Sequence, residues 1–142
     1  MLEQTAKPAF GFLPASPWRI AGLAFVFLWF MGGGLGHFFA PGFFVSIMPD
    51  YLPWHYPAVY ISGVFEIAGA IGLLLPRYRR WAGYGLFVLT IVVSPVNIHM
   101  WLHPADYPDM SETMLGVRLL IQIALLACIY WSTQGEPSPR VQ

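Results

Sequence analysis

Charge is scarce in this sequence. Seven Lys and Arg and seven Asp and Glu make up 10% of its 142 residues, against about 25% in soluble domains. Formal net charge is zero, so bulk electrostatics gives no argument for a nucleic-acid partner. Cysteine is rarer still. Cys128 is alone, which excludes an intrachain disulfide and any Cys-x-x-Cys chemistry. No long polar stretch separates one apolar run from the next, so neither a linker nor a repeat is expected. Strict alternation of apolar and polar residues is also missing, which argues against the strands of a membrane barrel.

Apolar residues are what the chain has. They make up 57% of it, and aromatics 17%. One domain of this length has too little interior to hide that much apolar surface from water. The expected solvent is therefore a lipid bilayer, and the expected fold is an all-α integral membrane four-helix bundle. A helix needs about 20 residues to cross the hydrocarbon core. Four stretches qualify, at about 17–38, 56–75, 81–102 and 113–131. Residues 1–16 (MLEQTAKPAFGFLPAS) are read as a retained interfacial segment and not a signal peptide. Residues 17–133 form the four-span domain, and 134–142 (QGEPSPRVQ) are read as a disordered tail.

The basic residues give a direction. Lys7 precedes the first span and Arg19 stands at its start, Arg77, Arg79 and Arg80 fill the turn between spans two and three, and Arg140 lies in the tail. The two longer loops hold Asp50, Asp106, Asp109 and Glu112 and no Lys or Arg. By the positive-inside rule both termini are cytoplasmic and the longer loops face outward. Trp18, Trp54, Trp81, Trp101 and Trp131 fall at span ends, as interfacial anchors do. The first loop, about 39–55 (FAPGFFVSIMPDYLPWH), is too aromatic to be solvated. It is expected to lie on or re-enter the membrane surface, with room for a short helix.

One carboxylate stands inside a span. In Ile61–Gly72 (ISGVFEIAGAIG), Glu66 sits about ten residues from either end, near the midplane. Facing lipid there is expensive, so it is expected to face protein. Ser62, Gly63, Gly69 and Ala70 flank it at helical spacing and form a face that another helix can approach closely. Arg118 is the one basic residue within a span, about a turn shallower than Glu66, and Gln122 shares its face. The residues therefore predict a Glu66–Arg118–Gln122 cluster inside the bundle. Such a pair serves either a site or merely the register between helices.

All four histidines fall toward the outer side: His37, His55, His99 and His103. With Asn97, the glycine run Gly32–Gly36 and the Ser94-Pro95 step, they point to a loosened outer half with a small cavity. His37, Glu66, Asn97, His99, Arg118 and Gln122 are the candidate pocket residues. His99 and His103 have i, i+4 spacing and are the sole, weak, candidates for a metal, because Pro104 disfavours helix at His103. No catalytic constellation stands out, and a stand-alone enzyme is not expected.

Three segments together carry a resemblance: GHFFAPGFFVSIMPDYLP (Gly36–Pro53), VYISGVFEIAGAIGLLLPRYRRWAGYGLFVL (Val59–Leu89) and SPVNIHMW (Ser94–Trp101). The sequence resembles the DoxX-like family of small bacterial inner-membrane proteins, which includes MauE-type redox-associated proteins. The resemblance implies a bacterial inner-membrane location and membrane-linked redox work. By family pattern it carries over His37, Glu66 and Asn97 as pocket residues. Lacking a cysteine pair, such a protein would need a bound quinone or a redox partner protein. Three functions compete. One is an accessory subunit binding a quinone or lipid in a pocket open to the outer face. Another is a proton- or cation-coupled transporter unit, which with four spans would need a homo-oligomer. The third is a structural or assembly protein.

Overall fold

A computed structural model of the chain describes residues 16–134. Apart from Ser16 and Gln134, the retained segment and the disordered tail expected from the sequence lie outside those residues. Five helices are formed: α1 (Pro17–Phe39), α2 (Pro41–Ser46), α3 (His55–Leu74), α4 (Arg79–Leu102) and α5 (Glu112–Thr133). A single 3₁₀ turn (Pro104–Asp106) follows α4, and no strand occurs among the described residues. The four long helices are each long and apolar enough to cross a membrane.

Local chemistry sets the ends. Ser16 caps α1, its hydroxyl accepting from the Trp18 amide at 3.3 Å, and Pro17 supplies the fixed φ suited to the first turn. Ser111 caps α5 in the same way, accepting from Met114 N at 3.2 Å. At the far end of α3, Arg79 Nε donates to the Leu73 carbonyl at 2.8 Å, satisfying one of the orphaned acceptors of a helix C-terminus. Arg80 Nε donates to Gln134 Oε1 at 3.1 Å and ties the start of α4 to the end of α5. Pro95 lies within α4, which continues through it to Leu102.

The long helices form a ring. α1 packs on α3 and α5, and α4 packs on the same two. Val26, Phe30, Leu73, Leu86, Leu125 and Ile129 make the buried core near the arginine-bearing turn. Ile47, Met100 and Leu115 make a smaller one among the two longer loops. Large apolar side chains also stay exposed along every long helix: Leu28, Phe65, Val92 and Ile123 are each at least 60% accessible. An apolar exterior of this extent is what a bilayer, not water, would cover.

Glycine sets the closest helix contacts. A Cβ on Gly34 of α1 would lie 2.7 Å from Ile67 Cγ1 and 3.0 Å from the Gly63 carbonyl oxygen. One on Gly63 would lie 2.8 Å from His37 Cβ. Of the small-residue face read around Glu66, Gly63 thus lies against α1, whereas Gly69 lies against Leu86 of α4. Gly32 and Gly85 meet nothing within 4 Å. Alanine at either position is expected to leave stability unchanged or raise it by about 0.5–1 kcal/mol through helix propensity. Unfolding in mixed micelles at rising dodecyl sulfate fraction measures this, and a loss above that range would mean that these faces are covered.

Candidate functional site

The cavity expected in the loop half of the bundle is present. It measures about 890 Å³, is half-open, and is walled by α1, α3 and α4 under the segment that carries α2. Phe43, Phe44, Met48 and Pro53 of that segment face it. Most of its wall is apolar. Trp29, Ile61, Phe65 and Val92 line it and also belong to the exposed apolar surface. Its polar groups are few: His37, Ser62, Glu66, Asn97 and Arg118. A second cavity of about 210 Å³ lies deeper in the bundle, against Thr90, Gln122 and Leu125. Trp29, Glu66, Val93, Asn97 and Arg118 border both and form the partition between them.

The glycine run explains how a carboxyl fits here. A Cβ at Gly33 would come within 2.8 Å of Glu66 Oε2, so the missing side chain makes the space that Glu66 occupies. One turn on, His37 Nδ1 donates to the Gly33 carbonyl at 2.7 Å. The same nitrogen is 3.8 Å from Glu66 Oε2. On its other side the His37 ring stacks on Phe44 of α2, with centroids 3.9 Å apart. The Ser62 hydroxyl, one turn before Glu66, is buried without a well-formed hydrogen bond and lies beside that carboxyl.

Arg118 is held differently from expectation. Its Nε and Nη2 donate to Asn97 Oδ1 at 3.2 and 3.0 Å. Asn97 Nδ2 donates to Gln122 Oε1 through a short hydrogen bond. Gln122 Nε2 in turn donates to the Thr90 carbonyl at 2.8 Å and to Ser94 Oγ at 2.6 Å. Each step fixes the next. Arginine offers only donors, so the Asn97 oxygen must face it and the Asn97 nitrogen must face Gln122.

The direct Glu66–Arg118 pairing is therefore corrected: among the described residues Arg118 makes no ion pair. Ring order is the reason. α3 and α5 both flank α1 and α4, so Glu66 and Arg118 stand across the bundle, and Asn97 on the intervening α4 reaches the guanidinium first. Of the six candidates, His37, Glu66, Asn97 and Arg118 converge on the larger cavity, and Gln122 joins them through the smaller. His99 does not. Two residues beyond Asn97 it is rotated by about 200° on the helix. There it stacks on His103 with centroids 4.2 Å apart and meets Tyr51 and Tyr107 edge-on. His103 Nδ1 donates to the His99 carbonyl at 3.1 Å. Among the described residues no three metal-binding side chains gather.

Thr90 and Trp29 are not singled out by the sequence, and Ser94 only for its step to Pro95. The spacing Thr90, Ser94, Asn97 is one helical face and was the available signal. Tyr107 was also passed over. Its phenol donates to the Ile47 carbonyl at 3.2 Å and joins the two longer loops. Burial, then Asp106, Asp50 and Tyr51, hold that phenol above its usual range. A raised folded-state value stabilises below the unfolded value of about 10, and the contribution fades as pH climbs through the folded one. Tyr107→Phe should lower stability by about 0.5–1.5 kcal/mol at neutral pH. The difference from wild type should vanish at strongly alkaline pH, and unfolding at the two pH values measures it.

No curated protein matches the chain, and no solved structure does. A family model does match, over residues 25–133, which takes in most of α1 and all of α2 to α5. It is not the DoxX-like family, and the resemblance is withdrawn. The glycine-rich helix faces and the Pro-Arg turn that carried it are what short apolar helices need to pack closely and turn at a membrane surface. The redox work, redox partner and bacterial inner membrane that it implied lose that support. The chain belongs to the family described as a domain of unknown function, DUF8561.

Proposed function

We propose that this is a multi-pass membrane protein that binds an amphipathic small molecule, of the kind lipids and quinones exemplify, in the cavity at its loop end. The observation that carries the reading is the cavity itself. About 890 Å³ of space is walled by aromatic and aliphatic side chains, with a few polar groups gathered at one side. That is the usual make-up of a small-molecule site. A bilayer is the natural reservoir for such a ligand, and the exposed apolar side chains of the four long helices support bilayer contact. Placing the Arg77–Arg80 turn and both termini on the cytoplasmic side follows the distribution of basic residues. The cavity then opens in the outer half.

The test is mass spectrometry of the protein extracted in native lipid discs, against the variant Ala58→Trp. Ala58 lines the cavity, and an indole there takes up part of its space. A bound amphiphile in the wild type, lost in a folded Ala58→Trp, is the expected result. The same amphiphiles at equal occupancy in both would sink the reading.

A further inference from the structure

The Arg118 guanidinium and the Glu66 carboxyl face the cavity, and among the described residues neither pairs with a carboxylate or with a Lys or Arg. Arg118 spends Nε and Nη2 on one neutral oxygen, Asn97 Oδ1, and its Nη1 finds no acceptor among the described residues. Glu66 has His37 Nδ1 at 3.8 Å, but that nitrogen's hydrogen is directed to the Gly33 carbonyl at 2.7 Å. Both side chains border both cavities, and they make no ion pair with each other. An isolated charge beside apolar walls is costly unless something pairs with it and satisfies its hydrogen bonds. The group that does so for Arg118 is an anionic oxygen, because a guanidinium only donates. The group that does so for Glu66 is a donor, best a cationic one.

Resting on the amphiphile reading and deepening it, we propose that the ligand's head is zwitterionic, bridging the partition with a phosphate or carboxylate oxygen on Arg118 and an ammonium on Glu66. A head of either single charge would match one wall and leave the other charge stranded. Trp29 and Phe65 line the same space, and aromatic faces favour an adjacent ammonium. The chains of the ligand then lie along Ile61, Val92 and the exposed apolar surface beyond.

The experiment is native mass spectrometry of the delipidated full chain with four probes of matched chain length. They are lysophosphatidylethanolamine, phosphatidylethanolamine, an alkyl phosphate and an alkylamine. In the wild type a whole head should bind at least about tenfold more tightly than either half head, as one added charge-assisted hydrogen bond allows. Equal binding of one- and two-chain forms identifies a membrane phospholipid, and preference for the one-chain form identifies a single-chain zwitterion. Arg118→Gln should abolish the advantage over the alkylamine, and Glu66→Gln the advantage over the alkyl phosphate. Half heads that bind the wild type as well as whole heads overturn the bridging head and leave the amphiphile site standing. No binding by any probe, with no amphiphile on the native protein, overturns both. The wild-type ranking decides even if a variant misfolds.

Discussion

Asn97→Leu should be the most damaging single exchange in the polar cluster, lowering unfolding free energy by about 2–4 kcal/mol. The side chain is a hub: it accepts from Arg118 and donates to Gln122. Leucine would leave a half-buried guanidinium without its protein acceptor and the buried Gln122 oxygen without its donor. Each orphaned group costs about 1–3 kcal/mol, more when charged. Hydrogen bonds between membrane helices measure lower, near 0.6 kcal/mol on average, because the unfolded helices in lipid find other partners, so the range starts at about 2 and not higher. A second change isolates the cause. Arg118→Met added to Asn97→Leu should recover at least half the loss, since no charge is then stranded. If the double variant instead costs the sum of the two singles, Asn97 and Arg118 do not act as a pair. Unfolding in mixed micelles supplies all four corners of the cycle.

The second large effect should come from a methyl group. Gly34→Ala places a carbon 2.7 Å from Ile67 Cγ1 and 3.0 Å from the Gly63 carbonyl. The first contact can yield by a rotamer change, but the second is backbone and cannot. α1 and α3 must move apart, at about 1–3 kcal/mol. Gly63→Ala meets His37 Cβ at 2.8 Å and the Gly34 carbonyl at 3.1 Å, so it should cost a similar amount. The two glycines share one contact. Once either methyl has parted the helices the other fits the gap, and the double variant should cost clearly less than the sum. Full additivity would show that α1 and α3 do not meet at these residues. The same separation pulls Glu66 from His37, so amphiphile binding should fall along with stability.

The helices were legible because a span is written in length and apolarity, two properties of a contiguous run. All four came out within about two residues of their expected ends. The acid's protein-facing side was also legible, because Gly63 and its small neighbours sit at helical spacing from Glu66. Its partner was not. Sequence gives depth along the bilayer normal, and by depth Arg118 and Gln122 were reasonable mates. It does not give which helices are diagonal in a ring of four, and that decided the matter. His99 failed for a simpler reason: nearness in sequence to Asn97 was taken for nearness in space, across a half-turn of helix. The Thr90–Ser94–Asn97 face could have been found by the period that located the face around Glu66.

The amide chain from Arg118 to Thr90 has a single sense. Every donor points down the bundle, away from the loops, because the arginine at its head cannot accept. The Thr90 carbonyl at its foot can only accept, so it holds the Gln122 nitrogen toward it and fixes the same sense from below. With both ends fixed, neither amide can turn without facing like to like. From Asn97 to Thr90 is about 10 Å along α4. The guanidinium at the cavity wall is therefore held by a chain anchored two helical turns deeper.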